Sequence, residues 1–280
     1  DEKDEYIISP PGGIAIETSN QKSSKATTFK SKVANELSAQ SSLKEHKGVR
    51  QLISDYCSNV IEVTSMDELR DALKTVSSKT SGRFIISLAK GTYTSETELK
   101  IPADRIQKFE GVNMNRKSST VPSETSDSSI LDMPVKIVAS SRVSERKESS
   151  FDFELIGVSV LKQLTVDTKN CVPRMKIERV HSTTNSGDAM VIKSAKEVLM
   201  NDCEVFGGED GLMIDDATVH IKSSDIRFAE SRGIFANDHF TVEDVEVSNC
   251  GGYGMKTRGG VTRLGDNDIQ PGPWDGLGFF

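Results

Sequence analysis

The sequence predicts an all-β solenoid: a right-handed parallel β-helix with an amino-terminal helical appendage or cap. Three observations carry that prediction. Val198-Leu-Met200-Asn-Asp-Cys203-Glu-Val205, Val219-His-Ile221-Lys-Ser-Ser224-Asp-Ile226 and Phe240-Thr-Val242-Glu-Asp-Val245-Glu-Val247 repeat the same core-type columns at a step of 21 residues. A column of small residues, Ala189, Gly211, Gly233 and Gly254, runs beside them at steps of 22, 22 and 21. Apolar residues follow each small one: Met190 and Ile192, Leu212 and Ile214, Ile234, Met255. Short alternating strands repeated every ~20–25 residues cannot bury their apolar side alone, so they stack into a solenoid.

The elements follow in order. Residues 1–58 read as a polar arm followed by amphipathic helices. The arm, rich in Ser and Lys, is broken by Pro10-Pro11-Gly12-Gly13. Phe29, Val33 and Leu37, then Val49, Leu52, Ile53 and Tyr56, recur at helical spacing, with Gly48 near the break. These helices are expected to cover exposed strand edges at one end of the solenoid. Val60–Val63 is a short strand. Ser65-Met66-Asp67-Glu68 is a capping box that opens a helix to about Val76, with Leu69, Ala72, Leu73 and Val76 on one side. Arg83–Ala89 is a strand, Lys90-Gly91-Thr92-Tyr93 a turn, and Thr97–Ile101 the next strand.

That strand, helix, strand and Gly-Thr-Tyr turn resemble the first coil of pectin-lyase-like right-handed β-helices. The resemblance spans roughly residues 60–260 and covers architecture and cap; no catalytic motif matches. It implies a short helix sealing the amino-terminal end. In members that act on polysaccharide it implies a groove along an outer sheet face. The β-helix is expected over 59–260, with loop excursions near 113–129 and 140–150, where Ser, Thr and charged residues break the pattern. Val135–Val138, Phe151–Leu155 and Leu164–Val166 are strands between and after them. Residues 261–280 read as an aromatic tail in which Trp274, Phe279 and Phe280 cap the last coil or dock a partner.

The formal charge of −7 and a pI near 5.3 argue against nucleic acid or an anionic membrane as partner. A protein partner or a polysaccharide stays open. No apolar run is long enough to span a bilayer. Cys57, Cys171, Cys203 and Cys250 form no Cys-x-x-Cys pair and no zinc spacing, so no disulfide framework, metal or cofactor is expected. The chain opens at Asp1 without methionine, which reads as a processed product and favours a secreted or organelle-lumen location over the cytoplasm.

Alternation extends the reading to a surface. Met190, Leu212, Ile234 and Met255 point inward, as do Ile192, Ile214, Ala236 and Thr257. Val191, Met213, Phe235 and Lys256 then form one outward column, and Lys193, Asp215, Asn237 and Arg258 the next. This apolar strip beside a polar one is the candidate binding face. Aromatic and apolar groups stack on sugar rings while charged groups fix hydroxyls and acids.

Three catalytic readings use the same region. Gly207-Gly208-Glu209-Asp210-Gly211, with Asp188 one coil below, resembles the Gly-Asp-Asp segment of polygalacturonases, but Asn-Thr-Asp and Gly-His-Gly are missing. Arg258 with Asp215 and Asp210 suits the arginine base and calcium acids of pectate lyases, without their Arg motif. Asn237-Asp238-His239 sets an acid beside a histidine at a coil edge, as in some β-helix epimerases and lyases. With every set incomplete, the sequence favours a non-catalytic binding or structural module, such as a subunit of a larger assembly. The alternative is a polysaccharide lyase or glycoside hydrolase.

Overall fold

The computed structural model describes residues 59–79, 82–112, 128–143 and 151–270, and the backbone of Leu277–Phe279. The expected polar arm and helices of 1–58, and the excursions at 113–127 and 144–150, lie outside the described residues, as do Trp274 and Phe280.

The chain winds through eight coils, each visiting three faces. The first face stacks Phe84–Leu88, Ile106–Glu110, Phe153–Ile156, Met175–Glu178 and their successors up to Val261–Leu264. The second face is an eight-stranded sheet running from Gly91–Thr94 to Asp268–Ile269. The third stacks Leu99–Pro102, Val135–Val138, Leu164–Asp167, and then the strands that begin at Met190, Asp210, Arg232 and Tyr253. All pairings are parallel, as a solenoid of one hand requires. Met190–Asn201 and Asp210–Lys222 are long strands that bend from the third face into the first, through a bulge at Ala195/Glu197.

The sharp corners follow from local backbone chemistry. Gly157, Arg179, Asp202, Ser223, Asp244 and Gly265 turn the first face into the second, one left-handed residue per coil, with φ between 47° and 65°. The column of small residues has a different cause. A side chain at Gly233 would collide with Val247 and the Gly254 carbonyl, so the corner admits only small residues.

Inside, the predicted columns close into one core. Phe109, Phe153, Met190, Leu212, Ile214, Ile234 and Phe240 are at most 1% exposed, and Ala236 and Thr257 are buried with them. Each such apolar side chain contributes about 1.5–3 kcal/mol. Cys203 and Cys250 sit in this core as thiols outside any disulfide.

The helix Met66–Ser78 packs Leu69, Ala72 and Val76 inward beside the strand Val60–Val63. Ser65 accepts from the Glu68 N–H at 3.3 Å, but the Glu68 carboxylate reaches one residue further back than a capping box predicts, to the Thr64 N–H at 2.7 Å. Two boundaries differ from the sequence reading. Gly91–Thr94 is a strand of the second sheet rather than a turn; Tyr93 is buried and donates to the Val63 and Ala89 carbonyls. Ser129 begins a strand instead of ending a loop. The stacking also continues past Gly260, because Val261–Leu264 pairs with Phe240–Glu243 and Leu277–Phe279 with Met255–Thr257.

Candidate functional site

The third face carries the residues singled out by alternation. Val191, Met213, Phe235 and Lys256 are direct register partners on successive strands, as are Lys193 and Asp215. Asn237 Nδ2 donates to Asp215 Oδ1 at 2.8 Å, one coil away. The Arg258 N–H donates to the Ala236 carbonyl at 2.9 Å, and its exposed guanidinium lies 5.9 Å from the Phe235 ring centre.

Arg232 organises the near end of this face. Its Nε and Nη2 form a fork on Asp210 Oδ1 and Oδ2 at 2.7 and 2.5 Å. Its guanidinium carbon also lies 3.8 Å from the Phe235 ring centre. The planar cation thus binds a carboxylate edge-on and an aromatic face-on. Asp210 is only 3% exposed, so the pairing is what makes its burial tolerable. The Asp210 N–H reaches Asp188 Oδ1 at 3.3 Å. Burial, then the Asp210 and Glu209 charges, push the Asp188 carboxyl above the ordinary aspartate range, against the Asp210 N–H and Arg232. Tyr253 pairs in register with Arg232, and the Lys256 ammonium lies 5.1 Å from its ring centre. Sequence reading passed over Arg232 and Tyr253. Their signal was nevertheless present: Asp188, Asp210, Arg232 and Tyr253 follow the same steps of 22, 22 and 21 as the core columns.

The catalytic candidates do not gather at one place. Asp210 and Asp215 occupy opposite ends of one strand segment, about 16 Å apart along an extended chain. Asp238 and His239 lie beyond its end, on the corner toward the first face. There Asp238 Oδ2 accepts from the Asp216 N–H at 2.5 Å, and His239 Nε2 meets Thr262 Oγ1 at 2.9 Å. Asp216 takes the left-handed φ of 51° that bends the long strand. An open hollow of ≈ 420 Å³ on this corner is lined by Asn170, Lys196, Asp216, Thr218, Asp238 and His239. Neither Asp210 nor Arg258 reaches it. Among the described residues no group of three or more His, Cys, Asp or Glu is placed to hold a metal ion. No described helix is long and apolar enough to cross a membrane.

Parallel register, one-handed winding and the 21–22-residue step all point to one family, and residues 111–269 match the family described as "Right handed beta helix region". The chain belongs to the right-handed β-helix family. No curated protein and no solved structure matches it. Membership in that family establishes the scaffold and leaves the activity to be argued from the site.

Proposed function

We propose that this β-helix is a non-catalytic binding module whose third face holds a glycan chain bearing acid groups. The observation that carries the reading is the Phe235 ring flanked by the guanidinium groups of Arg232 and Arg258. Phe235 and Met213 offer apolar surface to sugar rings. Arg258 and Lys193 pair with no carboxylate among the described residues, so their charge is available to an anionic ligand. The scatter of Asp210, Asp215, Asp238 and His239 supports binding over turnover. The test is titration of the protein with acidic and neutral polysaccharides, with product release monitored in parallel. Saturable binding of the acidic polymer without products is expected, weakened at least about tenfold by Phe235→Ala or Arg258→Ala.

A second reading rests on Asp188. A carboxyl that holds its proton more tightly than usual, beside the Arg-bound Asp210, suits a general acid of a carbohydrate-active enzyme. Polymer cleavage that disappears in Asp188→Asn, while polymer binding persists, would replace the binding module with an enzyme.

A further inference from the structure

The second face has a different surface chemistry, unrelated to the glycan reading. Its outer surface bears an aromatic strip. The His181 and Phe206 rings lie 5.2 Å apart, and the Phe206 and Phe228 rings lie stacked at 6.1 Å and 24°. Phe206 and Phe228 make one aromatic patch on the surface, backed by the buried His181 ring. Phe228 is 55% exposed, one of few large apolar side chains on the described surface to be so open.

Phe228 is also in the wrong place for a phenylalanine. Its φ is 60°, at the corner position that Gly207 occupies one coil earlier with φ 74° and Asn249 one coil later with φ 56°. Glycine and asparagine tolerate this left-handed geometry; a bulky side chain there is a steric outlier. The scaffold therefore has cheaper residues for this corner and uses them on either side. A strained, exposed ring that its own fold does not require points to a task outside the fold.

The surroundings decide what it would meet. Beside the strip, Glu204, Asp225, Glu246 and Asp268 stand in register on consecutive coils, about 4.8 Å apart. Arg227 is spent between Asp225 and Glu246, at 3.1 and 2.9 Å. His181, 3% exposed, sets Nδ1 3.2 Å from Glu204 and leaves Nε2 buried without a partner. On the adjoining corner, Glu209 and Glu230 are exposed and pair with no cation among the described residues. The surface around Phe228 is thus acidic with an aromatic centre. Cations are attracted both to such carboxylates and to an aromatic face, and the alkyl stems of lysine and arginine cover exposed rings.

We propose that the second face docks an extended, lysine- or arginine-rich segment of another protein, with Phe228 as the central contact and the exposed carboxylates of Glu209, Glu230 and Asp268 holding its cations. The test is fluorescence anisotropy of a labelled oligolysine peptide against the intact chain at low salt, with oligoglutamate and a cationic glucosamine oligomer as controls. The peptide is expected to bind saturably and to lose affinity as salt rises. Phe228→Asn, which places the residue of the next coil's corner, is expected to weaken binding at least about tenfold while leaving the melting temperature unchanged or higher. Phe235→Ala, on the other face, is expected to leave peptide binding intact, which separates this site from the glycan face. The proposal is overturned if the peptide does not bind, if Phe228→Asn binds it equally well, or if that variant lowers the melting temperature and so shows Phe228 to be a structural residue. Preference for the glucosamine oligomer over the peptide would also overturn it, by making the occupant a sugar.

Discussion

The first and third faces cover the same core with opposite surfaces. On the first, charges alternate along and across the strands. Lys108 meets Glu110 at 2.6 Å, Lys176 meets Glu178 at 2.7 Å, and Lys222 meets Glu243 at 2.7 Å. Asn201 adds a further hydrogen bond to Glu178 at 3.4 Å. On the third, Lys136 meets Asp167 at 3.0 Å and Asp210 is locked to Arg232, while Lys193 and Arg258 pair with no carboxylate among the described residues and Arg258 lies beside Phe235. A face whose charges satisfy one another has little to offer a ligand. A face with an unpaired cation beside an aromatic ring keeps its capacity for a partner. Burial does not separate them, because the inward columns beneath both are equally closed.

The sharpest test of this contrast is to break the buried ion pair of the third face. Arg232→Ala leaves Asp210, 3% exposed, without its counter-charge, and is expected to cost about 3–5 kcal/mol in denaturant unfolding. Adding Asp210→Asn should recover much of that loss. If Arg232→Ala is nearly neutral, the fork on Asp210 is not a structural anchor, and the near end of the third face resembles the first after all.

Next in size is the effect on binding. Phe235→Ala is expected to remove at least about tenfold of glycan affinity, roughly 1.4 kcal/mol, with little change in unfolding midpoint because the ring is only half-buried. Substituting Leu199 on the first face, also half-buried and outward, should change neither quantity. Equal losses from both would erase the distinction.

Acid titration separates the faces by sign. The Glu178 carboxyl experiences burial, which alone would raise it, but the hydrogen bond and charge of Lys176, then Arg179 and Asn201, hold it below the usual glutamate range. Such a group binds fewer protons folded than unfolded. Its stabilisation is present above the unfolded value near 4.5 and is lost as the pH falls through the lower folded value. Asp188 behaves in reverse. With its folded value above 3.8, the native state holds the proton more tightly, so its contribution favours folding at low pH and is lost as the pH rises through the folded value. At neutral pH Glu178→Gln should therefore lower the melting temperature and Asp188→Asn should raise it. Both differences should fade in strongly acidic buffer. Shifts of the same sign would contradict the assigned environments.

The smallest expected effect is on the first face itself. A double-mutant cycle on Lys176–Glu178 should return a coupling of at most about 1 kcal/mol, decreasing with added salt. A larger value would make the ladder a stabilising network and not merely a neutralised surface.

Much of this molecule follows from periodicity. The 21–22-residue step made the solenoid legible, and alternation alone assigned Met190, Leu212 and Ile234 to the core and Met213 and Phe235 to the surface. Both hold because a strand has a period of two and stacked coils share one register. The end of the repeat was harder to read. Val261–Leu264 continues the first face while leaving Thr262, Arg263 and Leu264 exposed, so its composition lacks the apolar signature of earlier coils. The Gly-Thr-Tyr segment misled for a related reason: Gly91 suggests a turn, and only the buried Tyr93 hydroxyl, held by two carbonyls, makes it a strand.

By itself, then, the sequence determined the winding, the inward columns and which residues share an outer face, because these depend on spacing along the chain. Only the tertiary structure decided how those surface residues use one another. Asp210 and Arg232 are 22 residues apart and become a fork because their coils are adjacent. Asp210 and Asp215 are close in sequence and are kept apart because the strand between them is extended. Phe228 stands out only once its φ is compared with those of Gly207 and Asn249 at the same corner. Side-chain pairing and backbone strain arise across coils, where spacing along the chain carries no record of them.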